Sequence, residues 1–330
     1  MAGGVGQKLG FAGFTTLVIF GAVELGLRGA GWPSPTGSFT HNEPFWVKDP
    51  NLQAERTPHN ETGGAFAVST DDNGLRAPLH EVDKRPGVHR VMTLGCSTTF
   101  GWGVDDAQSY PARLEALARE AGYRSLEVIN GGQPGYTSFQ GLWLWGDVLR
   151  HYEPDVVLIG YVVQDARKAA YSDRSQAVLQ QDGRFLKDNF LYRWRLYQLL
   201  RNSIGGIQVQ AKEVGPNDAG GVYRVDPAEF AANLRALVDG VRAVGGQPVL
   251  FGYPLEREGY TRQHRAILRA AAEELGVPRF DPQAQMEQAS QQAELYFPRD
   301  KGHANAAGND QIARWVFDFL REQRLLGDGA

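Results

Sequence analysis

Cysteine is nearly absent from this chain. Its 330 residues include one, Cys96, so no internal disulfide forms and no multi-cysteine metal site can be built. Paired histidines at metal-ligand spacing are missing as well; the seven are His41, His59, His80, His89, His151, His264 and His303. An excess of positive charge is also lacking. Lys and Arg total 34 against 38 Asp and Glu, a formal net charge of −4, which gives no electrostatic reason to expect nucleic acid as a partner. There are no internal repeats or low-complexity tracts. The pair Gly101-Trp102-Gly103 does not complete G-x-G-x-x-G, which argues against a dinucleotide site.

What is present is ordinary for a globular protein: 42% hydrophobic and 22% charged residues, in a chain long enough for one large domain or two small ones. The N-terminus stands apart. LGFAGFTTLVIFGAVELGL, from Leu9 to Leu27, carries a single charge, Glu24. As a helix it spans roughly 28 Å, about the thickness of a bilayer hydrocarbon core. Gly10, Gly13, Gly21 and Gly26 dilute its hydrophobicity and suit a buried core helix. Its place near the N-terminus, before the breaker GAGWPSPTGS, favours membrane targeting. No small-x-small cleavage site follows, so an uncleaved anchor at residues 1–30 is preferred over a signal segment whose removal leaves a secreted protein. Lys8 and Arg28 flank the run almost symmetrically and barely decide its orientation.

Residues 31–87, rich in Gly, Pro, Asn and Thr over most of their length, read as an irregular extension of short strands and turns. From residue 88 strands alternate with helices. His89–Leu94, Leu126–Ile129, Asp155–Val163, Pro248–Phe251 and Val277–Phe280 read as strands. Tyr110–Ala121, Phe139–His151, Pro227–Val244, Gly259–Leu275 and Ala304–Leu325 read as helices. That alternation predicts an α/β fold over residues 88–330, a central parallel sheet covered on both faces, with sites at the carboxyl ends of the strands. Between Asp165 and Asp226 no strand is evident, and residues 166–225 read as an inserted lid or subdomain. Within it, FLYRWRLYQLLR (Phe190–Arg201) suits an amphipathic helix packed on the sheet edge, or else a contact with substrate or membrane.

Four stretches carry chemistry. VMTLGCSTTFGWGV (Val91–Val104) places Ser97 just beyond a strand, where a base can activate its hydroxyl and following backbone amides can face an oxyanion; a helix-capping serine fits equally. The elbow pattern G-x-S-x-G lacks its second glycine here, Thr99 standing in its place. FPRDKGHANAAGND (Phe297–Asp310) sets Asp300 three residues before His303, a spacing that on a tight turn lets the carboxylate fix the imidazole. A helix cap and a surface histidine are the plain alternatives. VINGGQPGYTS (Val128–Ser138) brings Gly131, Gly132 and Gly135 to a strand end, as an amide-lined loop or a simple turn. YVVQDA (Tyr161–Ala166) adds the side-chain amide of Gln164.

Together these stretches resemble the SGNH (GDSL-like) hydrolase family over roughly residues 88–325. LGCSTTFGWGV is similar to the family's first block and maps the nucleophile onto Ser97. INGGQPGYT is similar to the second and maps an oxyanion-hole glycine onto Gly135. DKGHANAAG is similar to the last, D-x-x-H, and maps the carboxylate onto Asp300 and the base onto His303. A subgroup with an N-terminal membrane segment has a motif like Gly74-Leu75-Arg76 before the first core strand. The resemblance implies a three-layer α/β/α, flavodoxin-like sandwich. It also implies a serine esterase that needs neither cofactor nor metal, with the Ser97 and Gly135 amides and the Gln164 side chain at the oxyanion.

Two positions depart from the pattern. Cys96 stands where the family usually has Asp before the serine; it reads as a small buried side chain, with a nucleophilic role as the alternative. In the third block, usually G-x-N-D, the chain has Val162-Val163-Gln164-Asp165, so glutamine offers the asparagine's donor on an arm one methylene longer. The expected function is hydrolysis of an acyl ester, on carbohydrate or lipid, by an anchored domain outside the cytoplasm. An acyltransferase acting on a polysaccharide and a non-catalytic carbohydrate-binding protein of the same fold are the alternatives.

Overall fold

The structure is a computed structural model that describes residues 3–30, 39–42, 45–48, 51–58, 64–169, 171–181, 194–197, 199–200 and 221–327. The chain divides into two compact units, one of residues 1–37 and 175–214, the other of residues 38–174 and 215–330.

In the first unit, helix α1 covers Gly3–Gly29. Its stretch Gly10–Gly29 is long and apolar enough to cross a membrane. Phe11, Phe14, Leu17 and Leu25 are all exposed, which differs from the pattern of a buried core helix. Glu24, its one acid, is buried and satisfied. Arg28 Nε donates to it at 2.7 Å, and the Arg195 and Leu196 amides donate at 2.9 Å each.

The second unit opens with two short hairpins, β1 (Phe39–Asn42) with β2 (Phe45–Lys48) and β3 (Glu55–Pro58) with β4 (Ala65–Val68), both antiparallel. Short strands were the expectation for this region. The sandwich then follows in the order β5 (His89–Gly95), α2 (Ser97–Phe100), α3 (Tyr110–Glu120), β6 (Leu126–Gly132), α4 (Ser138–Asp147), β7 (Val156–Ile159), β8 (Lys168–Ala169) and β9 (Val222–Tyr223), with α5 (Asp173–Gln181), which belongs to the first unit from Ser175 on, between the last two in sequence. It closes with α6 (Pro227–Ala243), β10 (Gln247–Phe251), α7 (Arg262–Leu275), β11 (Arg279–Phe280), α8 (Gln283–Ala289), β12 (Tyr296–Phe297), β13 (Asp300–Ala304) and α9 (Ala306–Glu322).

Strands β11, β10, β7, β5 and β6 form one sheet in that order, every pairing parallel. Strand β7 is buried from end to end, Val156 to Ile159 being inaccessible, and in β5 so are Val91, Met92 and Leu94. Such strands are covered on both faces, and their continuous apolar runs reflect it. Helix α3 packs with α9, and α4 packs with α6, which packs with α7. This is the three-layer arrangement implied by the alternation. Connections run from β5 outward to β6, then return past β5 to β7 and on to β10 and β11. The direction of winding therefore reverses at β5, and the crevice at its carboxyl end is where such sheets bind ligands.

Several boundaries differ from the sequence reading. The run Asp155–Val163 is strand only to Ile159; from Val163 to Ala166 the chain turns, placing Gln164 in a turn beyond the strand. The helix expected to run to His151 ends at Asp147 and passes into a 3₁₀ turn at Leu149–Tyr152. The stretch read as strand-free contains β8 and β9, paired antiparallel with Lys168 opposite Tyr223. A two-residue ribbon is too short to show a period. Within Phe190–Arg201, residues 190–193, 198 and 201 lie outside the described residues, as does most of the 166–225 insertion.

Candidate active site

Ser97 is the first residue of α2, directly after β5 and the bend at Cys96. The strand delivers it to the carboxyl edge of the sheet, and it is 6% exposed. It does not cap the helix, since Cys96 occupies that position and its side chain makes no capping bond. The hydroxyl meets His303 Nε2 at 2.8 Å. On the other edge of the ring, His303 Nδ1 lies 2.5 Å from Asp300 Oδ2. A carboxylate there accepts from the Nδ1 proton and leaves Nε2 free to take the serine's.

Asp300 and His303 sit on β13 rather than on a tight turn alone. An ordinary strand would send residues three apart to opposite faces. Here Phe297 pairs with Asp300 while its neighbour Tyr296 pairs with Ala304, so Lys301 to His303 bulge out of the ladder. That bulge folds the imidazole back onto Asp300. The Gly302 amide donates to Asp300 Oδ1 at 3.1 Å, holding the carboxylate's second oxygen.

The glycine loop lies beside Ser97. Gly132, which ends β6, abuts the backbone of α2; a Cβ on it would fall 2.3 Å from the Phe100 amide nitrogen. Only glycine lets the two elements approach so closely. Gly135 has φ +79°, a left-handed conformation, and a Cβ placed on it would meet no atom within 4 Å. Among the described residues, neither the Ser97 nor the Gly135 backbone N–H has an acceptor. Gln164 turns its side-chain oxygen to Arg224 Nη1 at 2.9 Å.

Cys96 is fully enclosed. Its sulfur is 3.2 Å from the Thr98 hydroxyl, and burial pushes its thiol pKa up. A buried thiol so shifted stays protonated and is a poor nucleophile. Asp165, next to Gln164, is also inaccessible. It accepts from the Ser138 amide at the start of α4 at 2.9 Å, and burial pushes its pKa up to about 7.

Arg76 of the Gly-Leu-Arg stretch is wholly buried. Its guanidinium donates to the carbonyls of Phe100 (2.8 Å), Gly101 (2.6 Å), Val104 (2.6 Å) and Ala67 (2.9 Å), and its Nε to Asp106 at 2.9 Å. It thereby ties the segment before the sheet to the loop that follows Ser97. Asp173 and Arg224 were missed by sequence reasoning. They stand at the two ends of the insertion, 51 positions apart, where no motif or period marks them. Among the described residues, no group of three His, Cys, Asp or Glu side chains is placed to hold a metal ion.

Residues 93–311 match the profile of the GDSL-like Lipase/Acylhydrolase family. The chain belongs to that family. It is accordingly a hydrolase of ester bonds, and the GDSL-like assignment inferred from the four sequence blocks holds. Comparison with curated proteins gives no match. Among solved structures, the chain is similar to an α/β hydrolase enzyme from the metagenome of Lake Arreo, Spain, with 18% identity and a TM-score of 0.48, over 73% of this chain and 97% of that one. It is similar to a catalytic variant of an acetylxylan esterase from Geobacillus stearothermophilus, with 19% identity and a TM-score of 0.47, over 73% and 96%. It is also similar to a lipase/acylhydrolase from Enterococcus faecalis, with 15% identity and a TM-score of 0.48, over 72% and 97%.

Proposed function

We propose that this GDSL-like hydrolase is a serine esterase in which Ser97, His303 and Asp300 act together. The observation that carries the reading is the unbroken chain from hydroxyl to imidazole to carboxylate, at 2.8 and 2.5 Å. Ser97 Oγ attacks the acyl carbonyl as its proton passes to His303 Nε2. The carbonyl oxygen becomes an oxyanion, facing the Ser97 and Gly135 backbone N–H groups and the Gln164 amide. Collapse of the tetrahedral adduct breaks the ester C–O bond, and His303 gives the proton to the departing alcohol. Water, deprotonated by His303, then attacks the acyl-serine and releases the acid. Asp300 holds the imidazole in the tautomer that keeps Nε2 available and stabilises the imidazolium.

The substrate class is an O-acyl ester of carbohydrate or lipid at a membrane surface. Helix α1, apolar and exposed, supports an anchor within residues 1–30. The hydrolase would lie outside the cytoplasm, as a core from residue 88 onward preceded by the 31–87 extension. Two measurements test this. The full chain in detergent is treated with a fluorophosphonate and its intact mass measured beside Ser97→Ala: one adduct on the parent and none on the variant is expected, and an unlabelled parent counts against an activated serine. Alkaline carbonate extraction of membranes from expressing cells should leave the full chain in the pellet and release a chain lacking residues 1–30.

A further inference from the structure

We infer that Arg224, braced by Asp173, is a positioning residue that aims the Gln164 amide at the oxyanion. The inference rests on the serine-esterase reading and adds a residue to it. A guanidinium only donates, and a glutamine side chain has one acceptor atom. The 2.9 Å contact from Arg224 Nη1 therefore fixes which end of Gln164 is oxygen. The NH₂ group, on the same carbon, then faces away from Arg224, and no described residue accepts from it. The longer glutamine arm has an extra rotatable bond, so an unanchored amide would spread over several rotamers. Anchoring its oxygen removes that freedom before the substrate arrives, which is the condition for a useful oxyanion donor.

Arg224 is itself fixed. Its Nε and Nη2 donate in parallel to Oδ1 and Oδ2 of Asp173, both at 2.9 Å, and Asp173 is 3% exposed. Such bidentate pairs constrain orientation as well as distance. Asp173 Oδ2 also accepts from the Thr137 hydroxyl and the Gln140 side-chain amide at 2.8 Å each, in the first turn of α4 just beyond the Gly135 loop. One buried carboxylate thus connects the two segments that carry Gly135 and Gln164. Backbone bonds already clasp the ends of the insertion: the Asp173 amide donates to the Arg224 carbonyl and the Arg224 amide to the Arg167 carbonyl, both at 2.8 Å. The clasp accounts for the ribbon without the guanidinium. Its remaining arm is spent on Gln164.

The test uses the full chain in detergent with 4-nitrophenyl acetate, and compares Gln164→Ala, Arg224→Met, Arg224→Lys, the Gln164→Ala/Arg224→Met double variant and Ser97→Ala. Loss of an oxyanion donor lowers kcat roughly 10²-fold, so Gln164→Ala and Arg224→Met should each approach that loss with KM little changed. The double variant should be no slower than Gln164→Ala alone, because both changes remove one function. Arg224→Lys keeps the charge beside Asp173 without the fork, so it should lose kcat while its melting temperature stays near the parent's. Multiplying losses in the double variant, or an Arg224→Met enzyme with the parent's kcat, would overturn the inference. If Ser97→Ala keeps the parent's turnover, the esterase reading itself fails. If Ser97→Ala is inactive while Gln164→Ala and Arg224→Met are not, the positioning role alone fails.

Discussion

His303 Nε2 sits 2.8 Å from the Ser97 hydroxyl, although 206 positions separate the two residues. The parallel sheet brings Ser97 to one side of the crevice and the bulge in β13 brings His303 to the other. If this pair works as a unit with Asp300, the variants should not add. Ser97→Ala and His303→Ala are each expected to lower kcat by roughly 10⁴–10⁶-fold, and the double variant no further. Asp300→Asn, which leaves the ring in place but loses its preferred tautomer, should cost about 10⁴-fold. Hydrolysis of 4-nitrophenyl acetate measures all four, and a double variant much slower than either single one would count against a shared proton relay.

Cys96 adjoins Ser97 and is the chain's one thiol, yet its burial and raised pKa argue against nucleophilic use. Iodoacetamide at neutral pH should leave the native enzyme active and unmodified. Cys96→Ala should keep turnover within about threefold, the change being one of packing. Inactivation that tracks alkylation would reinstate the thiol.

Gly132 and Gly135 stand three residues apart and should respond differently to alanine. At Gly132 the new methyl would lie 2.3 Å from the Phe100 amide nitrogen, a backbone atom, so β6 or α2 must shift. Overpacking of that kind costs about 3 kcal/mol. At Gly135 there is no atom within 4 Å, and the penalty is that of φ +79° alone, roughly 1–2 kcal/mol. Urea unfolding should rank Gly132→Ala well below Gly135→Ala, and the reverse order would show that the loop, not the strand, is the tighter site.

The legible parts of this molecule were those that repeat or sit at motif spacing. The run Val156 to Ile159 is apolar because both faces of its strand are covered, so the sheet could be read from continuous apolar runs alternating with helical segments. Ser97, Asp300 and His303 were singled out because they sit at motif spacing, and the fold brings the three within hydrogen-bond reach of one another. What was missed depends on long-range closure. The bulge at Lys301 to His303 arises from pairing with β12, and the Asp173–Arg224 bond joins the two ends of an insertion. Neither leaves a local pattern. Gln164 was singled out as well, but the contact of its side-chain oxygen with Arg224, 60 positions away, was not legible.

Arg76 tests how the segment before the sheet supports the site. Its guanidinium takes four carbonyls and Asp106 while fully enclosed, so no water can replace it. Burial pulls its pKa below the usual arginine value, and Asp106 offsets part of that. Arg76→Met should leave the Val104 carbonyl without a donor, leave those of Phe100 and Gly101 only their long contacts from Asn130 and the Val104 amide, and set an apolar side chain beside Asp106. Removing one partner of a buried ionic network costs about 3–5 kcal/mol. Arg76→Lys should recover only part, since an ammonium cannot reach all five acceptors. Thermal unfolding gives the ranking. A melting temperature unchanged in Arg76→Met would show that this network does not hold the Ser97 loop.

Asp165 predicts a pH dependence with a definite sign. Its carboxyl is raised from 3.8 to about 7 in the folded chain, first by burial and then by the nearby Asp173, with the Ser138 amide and Arg224 acting the other way. Below pH 4 the group is protonated in both folded and unfolded chains. Between about 4 and 7 the unfolded chain releases the proton while the folded chain keeps it, so the stability this group contributes is lost as pH rises toward 7. A shift of about three pH units corresponds to roughly 4 kcal/mol, reached by pH 7 and constant above it. Asp165→Asn keeps an oxygen for the Ser138 amide and cannot ionise. Measured by urea unfolding, its stability relative to the parent should climb from pH 4 to 7 and then level off. A difference that stays flat across that range would mean that Asp165 is ionised throughout in the folded protein, with Arg224 outweighing its burial.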